Sequence, residues 1–278
     1  MATAITPTPS ARALPQLDVS WLQPRRAGRL RLLSYNIQVG ITTRRYRHYV
    51  TQSWKHVLPH PERMQNLDAI ARLVRHFDIV GLQESDAGSL RTGFVNQIEY
   101  LANRGHFPYW LQQTNRRIGQ IAHHSKGLLS RIRPDRAEEF QLPGLIPGRG
   151  GVLLQYGTGE QPLVVVLLHL ALGRRSRERQ LGYVADLVQG YRHIVLMGDF
   201  NCRLSSREAR QLLARSGLRE PAEDLATWPS WRPYRNIDHI LVSPSLEVER
   251  VETLSYTLSD HLPIAMEVKL PEGLRHFT

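Results

Sequence analysis

The chain of 278 residues contains a single cysteine, Cys202, so neither an internal disulfide framework nor a cysteine-based zinc site can form within it. Lysine is nearly as scarce. Only Lys55, Lys126 and Lys269 occur, and the formal net charge of +11 therefore rests on arginine. No apolar run approaches the roughly 20 residues of a membrane-spanning helix. The longest, residues 163–172, is interrupted by His169 and suits a core strand. The first residues lack the basic region followed by an apolar core that marks a secretion signal. With the unpaired cysteine, that makes the cytoplasm the expected compartment. There is no internal repeat, and no interior linker long enough to divide the chain.

What is present is a hydrophobic content of 41%, enough to build a sizeable core and to argue against global disorder. The positive charge favours a polyanionic partner, either nucleic acid or anionic lipid head groups and inositol phosphates. General surface composition explains an arginine bias equally well. Residues 1–28, rich in Ala, Thr and Pro towards their start, read as a flexible tail or loosely docked arm. A strand over residues 29–37 delivers Asn36 at its end. Residues 40–60 form a basic, aromatic loop with Arg44, Arg45, Arg47, His48 and Trp54. That loop is either plain surface or a flap that touches substrate.

Pro61 opens a helix, where its missing N–H costs nothing, and Met64, Leu67, Ile70, Ala71 and Val74 form the apolar stripe. A strand over residues 77–82 ends at Gln83-Glu84, which completes a βαβ-like unit. A second helix carries Phe94, Ile98 and Leu101 on one face. Short strands follow at residues 127–130, 152–156 and 163–168. The last two form a hairpin that presents His169 at its far end. A helix over residues 176–190 precedes a strand at 194–197. Ser205 and Glu208 are spaced as a capping box for a helix stopped by Gly217. Residues 227–234 form a loop dense in Trp and Pro. Residues 236–242 and 264–270 are strands, the latter alternating cleanly. The expectation is one mixed α/β domain over residues 29–270 with a short C-terminal tail, 271–278.

The chemistry-bearing residues stand at strand ends. Singly, each has a structural explanation: Asn36 can cap a turn, His169 can be a satisfied core histidine, and Asp199 and Asn201 can cap the turn after their strand. Asp238 and His239 are harder to place, because strict alternation points one of them inward and a buried charge needs a partner. Six strand ends carry acid, amide or imidazole, which is the equipment for holding a cation, orienting a water and moving a proton.

In this order the motifs resemble the endonuclease/exonuclease/phosphatase family, with its deoxyribonuclease-I-like fold. The stretches concerned are Ser34-Tyr35-Asn36-Ile37, Gln83-Glu84, Leu128-Leu129-Ser130-Arg131, His169-Leu170, Gly198-Asp199-Phe200-Asn201, Ile237-Asp238-His239-Ile240 and Ser259-Asp260-His261-Leu262-Pro263. The resemblance implies a four-layer αββα sandwich of two mainly antiparallel mixed sheets flanked by helices. It implies hydrolysis of a phosphoric ester by in-line attack of water. Asn36, Glu84 and Asp260 would hold Mg²⁺, with Mn²⁺ as the alternative. Asp199 would orient or deprotonate the water, Asn201 would steady the phosphate, and His169 would donate to a phosphate oxygen. His261, held by Asp238, would be the general acid/base or a phosphate donor. His239 would be structural.

Gln38 stands where some nuclease members carry an additional acid, which would weaken or reshape the cation site. Lys126 is either a substrate contact or a solvated turn lysine. The leading expectation is a metal-dependent nuclease, monomeric by default, with Trp228, Trp231 and Tyr234 available to stack on bases. A phosphatase or phosphodiesterase acting on lipid head groups or inositol phosphates is the alternative on the same fold. A catalytically silent binding module is the third reading.

Overall fold

The computed structural model describes residues 17–41, 61–144, 149–222 and 225–277. The loop expected over residues 40–60, with Arg44, Arg45, Arg47, His48 and Trp54, lies almost wholly outside them. Two sheets stack face to face. The first runs in the order β10 (Glu247–Thr253), β11 (Ile264–Lys269), β1 (Arg29–Asn36), β2 (Ile79–Asp86), β4 (Ala122–Ser130) and β3 (Tyr109–Ile118). The second runs β5 (Arg136–Gln141), β6 (Gly150–Tyr156), β7 (Leu163–His169), β8 (His193–Asp199) and β9 (Asp238–Val242). Two pairs are parallel, β1 with β2 and β7 with β8; the other ladders are antiparallel.

Each parallel pair is joined by a helix, as a parallel connection demands. α1 (Pro61–Val74) links β1 to β2, and α3 (Arg174–Leu187) links β7 to β8. α2 (Gln97–Gly105) packs beside α1, and α4 (Arg207–Ser216) beside α3. Central strands are apolar on both faces because both faces are covered. In β1, Leu30 and Leu32 point between the sheets, while Leu33 and Tyr35 face α1 and α2. In β8, Val195 and Met197 meet the first sheet, while Ile194 and Leu196 meet Leu181 and Val184 of α3 and Leu212 of α4. The result is the expected αββα sandwich.

Several sequence expectations need correction. The expected N-terminal tail is anchored at two points, Leu17 and Trp21, which are buried, the Trp21 ring lying 5.3 Å from that of Phe77. Its one isolated indole gives no periodic signal. The expected C-terminal tail forms a 3-10 turn, Glu272–Phe277, that tucks Leu274 into the inter-sheet core. Phe94 lies before α2, at positive φ, and is exposed. The N-cap of α4 is Ser206, whose hydroxyl accepts from the Ala209 N–H at 3.3 Å. Glu208 instead pairs with Arg177 at 3.0 Å. β3, β5 and β10 were not expected as strands. All three are sheet edges, where one side is solvated and a run such as Arg-Ala-Glu-Glu-Phe-Gln carries little apolar alternation.

Candidate active site

Register alone assembles three members of the site. β7 and β8 pair His169 with Asp199, and β8 and β9 pair Asp199 with Asp238, so three functional side chains stand abreast on three strands. The first sheet contributes Asn36 and Glu84 from the ends of its parallel pair β1 and β2. Asn36 Nδ2 donates to Asp199 Oδ2 at 3.1 Å and so joins the two sheets. His169 Nε2 lies 3.5 Å from Asp199 Oδ2 and 3.8 Å from Glu84 Oε1. The turn before β11 supplies Asp260 and His261. His261 Nδ1 meets Asp238 Oδ2 at 2.7 Å, and the Thr227 hydroxyl donates to the same oxygen at 2.5 Å.

The backbone around these groups is tightly constrained. Glu84 and Asn201 adopt φ of 52° and 54°, and Gln38 and Val39 adopt 43° and 56°, which non-glycine residues seldom do. Such strain persists where the surroundings over-determine it, and it gathers at functional sites. Gly198 has φ of 142°, and a Cβ there would lie 2.0 Å from the Leu168 carbonyl oxygen. Only glycine lets β8 approach β7 closely enough to bring Asp199 beside His169. The loop over residues 227–231 clamps the Asp260 turn: the Ser230 N–H donates to the Asp260 carbonyl at 2.7 Å, and the Ser230 hydroxyl to the Ser259 carbonyl at 2.6 Å.

Burial sets the titration of the site. It is the first cause, with the Asp238 charge second, that pushes the Asp199 carboxyl up to about 7. Burial and Asp260 likewise lift Glu84 above the usual carboxylate range. For His261, burial favours the neutral ring, but the Asp238 charge and its hydrogen bond more than reverse this and hold the imidazole well above its ordinary value. His169 goes the other way: burial, then the charges of Arg149 and Lys126, hold it well below. The site thus contains a neutral imidazole, a charged imidazole and a carboxyl poised near neutrality. Such a spread separates donor from acceptor roles.

The sequence-expected residues Asn36, Glu84, His169, Asp199, Asn201, Asp238, Asp260 and His261 all converge here. Asn201 is placed differently from the role expected of it. Its side-chain amide donates to the Leu170 carbonyl at 2.9 Å and its backbone N–H to Asp199 Oδ1 at 2.9 Å, so it braces the ends of β7 and β8. His239 is structural, lying between Glu220 Oε1 at 2.8 Å and the Cys202 carbonyl at 2.9 Å, edge-on to Phe200. Lys126 is neither a solvated turn residue nor a surface contact. It is fully buried and donates to the Gly150 carbonyl, and burial and Arg149 draw its pKa down to about 7. Trp228 packs on its own loop, with Tyr234 at 6.0 Å and Arg235 at 5.4 Å.

Sequence reasoning missed two members. Arg149 stands close enough to Glu84 and Asp199 for their charges to act on it, and its guanidinium is the cationic arm of the site. The only signal was its place before Gly150-Gly151, at the start of a strand. Thr227, the second donor to Asp238, had no signal at all.

The residues fit a divalent cation. Ligating atoms of Glu84, His169 and Asp199 lie within 4.8 Å of one another, as do those of Asp199, Asp238 and His261. Buried Asp238 Oδ1 has no hydrogen-bond partner among the described residues. The acceptors are mostly oxygen, the preference of a hard cation such as Mg²⁺ or Mn²⁺.

The sequence pattern of the endonuclease/exonuclease/phosphatase family matches residues 33–261. The chain belongs to that family, whose members hydrolyse phosphoric esters and generally use divalent metals. Solved structures share the fold. An endonuclease/exonuclease/phosphatase from Beutenbergia cavernae DSM 12333 is 19% identical at a TM-score of 0.67, over 88% of this chain and 72% of that one. A mannosyl-6-phosphatase from Bacteroides thetaiotaomicron VPI-5482 is 19% identical at 0.63, over 86% and 99%. The human Nocturnin catalytic domain with bound sulfate is 14% identical at 0.65, over 88% and 96%. No curated protein matches significantly by sequence.

Proposed function

We propose that this protein is a divalent-cation-dependent phosphodiester hydrolase that works by in-line attack of water. The observation that carries the reading is the row His169, Asp199, Asp238 across three strands, with His261 locked on Asp238 at 2.7 Å. Asp199 is the base: a carboxylate poised near neutral pH can take a proton from water without being neutralised outright. His261 presents Nε2 as a charged donor for the leaving oxygen, its tautomer and orientation set by Asp238 and, behind it, Thr227. Neutral His169 and the Arg149 guanidinium bind the non-bridging oxygens. Glu84, with Asn36 and Asp260, would hold the cation, which when bound neutralises developing charge on the phosphoryl oxygens.

Nucleic acid is the first substrate suggested by the +11 charge. A phosphate head group of an anionic lipid is the second. The test is turnover by purified protein, with Mg²⁺, Mn²⁺ or EDTA, on plasmid, single-stranded DNA, RNA, anionic liposomes and a small soluble diester. Cation-dependent cleavage that is lost in Asp199→Ala is expected. Full activity in Asp199→Ala would remove the assignment of the site.

A further inference from the structure

Ten large hydrophobic side chains stand exposed among the described residues, and six of them lie on turns at the end of the sheets that carries the site. They are Leu90, Phe94, Ile118, Ile121, Leu172 and Tyr234, each between 41% and 77% exposed. Their common location follows from the hydrogen bonding. β2 ends at Asp86, two residues beyond Glu84, and there pairs with His124. The β3–β4 hairpin continues past that point and turns at residues 118–121. The Leu90 and Arg91 N–H groups donate to the Gln120 and Ile121 carbonyls at 2.8 and 3.3 Å, which fastens the turn carrying Leu90 and Phe94 to the hairpin tip. Leu172 follows His169 by three residues, just beyond Leu170, whose N–H is bonded to the Asp199 carbonyl at 2.9 Å. Tyr234 stands on the loop whose Thr227 holds Asp238, and its carbonyl accepts from Arg203 at 3.1 Å.

Ile118, Leu172 and Tyr234 each have an exposed arginine within two or three residues in the chain, whereas Arg91, beside Leu90, is buried against Asp86. Residues 114–124 contain two arginines, two histidines and no acid. Exposed Arg117 adjoins Ile118, exposed Arg174 and Arg175 follow Leu172, and exposed Arg232 precedes Tyr234. Apolar anchors interleaved with cations around one face are the composition of a membrane-interface contact. A protein partner would be met by a contiguous apolar core, whereas these anchors stand on separate turns with charge between them. Single-stranded nucleic acid would be met by stacking rings, yet four of the six anchors are leucine or isoleucine.

We propose that this rim docks the protein on a bilayer containing anionic lipid, with the catalytic cleft facing the head groups. The contact is peripheral, since no helix among the described residues is long and apolar enough to cross a membrane. The docking stands apart from the hydrolytic reading. Only its use, to bring head-group phosphates to Asp199, rests on that reading.

The experiment is co-sedimentation of the intact protein with phosphatidylcholine vesicles, with and without phosphatidylglycerol, over a salt series. Hydrolysis of soluble bis(p-nitrophenyl) phosphate and retention of single-stranded DNA are measured in parallel. Retention on the anionic vesicles alone, weakening with salt, is expected. Ile118→Ser with Ile121→Ser, and separately Leu172→Ser, are expected to weaken vesicle partitioning about tenfold or more while hydrolysis of the soluble diester is unchanged. Asp199→Asn is expected to bind vesicles like the unaltered protein. Vesicle binding without diester turnover would leave the docking and overturn the hydrolase. Turnover without vesicle binding would do the reverse. Unchanged vesicle partitioning in both surface variants, or loss of DNA retention in place of vesicle retention, would overturn the docking.

Discussion

Two buried aspartates at the same end of the sandwich have opposite fates. Asp86, the last residue of β2, accepts from the N–H groups of Gly88, Ser89 and His123 at 2.9, 2.8 and 3.1 Å. It also accepts from the Ser89 and Thr92 hydroxyls at 2.8 and 3.2 Å and from Arg91 at 2.6 Å. Burial disfavours its charge, but Arg91 and these donors outweigh that and hold its carboxyl below the usual value. The side chain of Asp199, the last residue of β8, accepts within 3.2 Å, among the described residues, only from Asn36 and from the N–H of Asn201. Burial and Asp238 push it up to about 7. The difference is in the donors, since both are buried carboxylates at strand ends. A carboxylate whose lone pairs are all matched holds a loop; one left short of donors is available to a proton, a water or a cation.

The largest effect expected from breaking this contrast is on turnover. Asp199→Asn should lower kcat by about a thousandfold, within the range that a general base supplies, while its cation-free stability is unchanged or raised. Metal-free urea unfolding and single-turnover kinetics on the same preparation read both halves. Asp86→Asn is the mirror case. It leaves the Arg91 guanidinium buried and uncompensated, and should cost about 3–5 kcal/mol of stability. Its kcat, measured at a temperature where it stays folded, should change far less than that of Asp199→Asn.

The next effect is a displaced pH profile. Asp238 is what raises the His261 pKa against burial, so Asp238→Asn should let it fall. The alkaline limb of kcat then moves to lower pH, because the charged donor is lost earlier. A profile of unchanged shape and lower height would assign Asp238 a purely positional role.

The contrast between the two aspartates also marks what the sequence could say. Asp199 was legible through its motif, because Gly198-Asp199-Phe200-Asn201 follows the apolar run Ile194-Val195-Leu196-Met197 and is one of the stretches that carry the family resemblance. Asp86 was not, because its donors are three backbone N–H groups, two hydroxyls and one arginine, none of which has a pattern. The central strands were legible because burial on both faces leaves unbroken apolar runs. The edge strands β3, β5 and β10 were not, since pairing on one side needs no such run. Arg149 was hidden for a related reason. The charges that act on it, Glu84 and Asp199, come from two different sheets and from residues 65 and 50 positions away in the chain, and no local spacing encodes that.

The smallest effect lies in the pH dependence of stability, where the two aspartates pull in opposite directions. The folded-state pKa of Asp86 is depressed, so its contribution is present above 3.8 and is lost as pH falls through the lower folded value. That of Asp199 is raised, so between 3.8 and about 7 the folded chain binds a proton that the unfolded chain does not, and stability declines as pH rises through that window. His261, also raised, adds a decline of the same sign above its unfolded value of 6.5. Mg²⁺ or Mn²⁺ requires the deprotonated carboxylates and therefore opposes the decline. Thermal unfolding should show a cation-dependent rise in Tm of a few degrees near pH 7 that disappears towards pH 4. In Asp199→Asn both the neutral-side decline and the cation effect should shrink, while in Asp86→Asn the acid-side loss should shrink and the cation effect persist. A cation effect of equal size in both variants would mean that the ion is held elsewhere than beside Asp199.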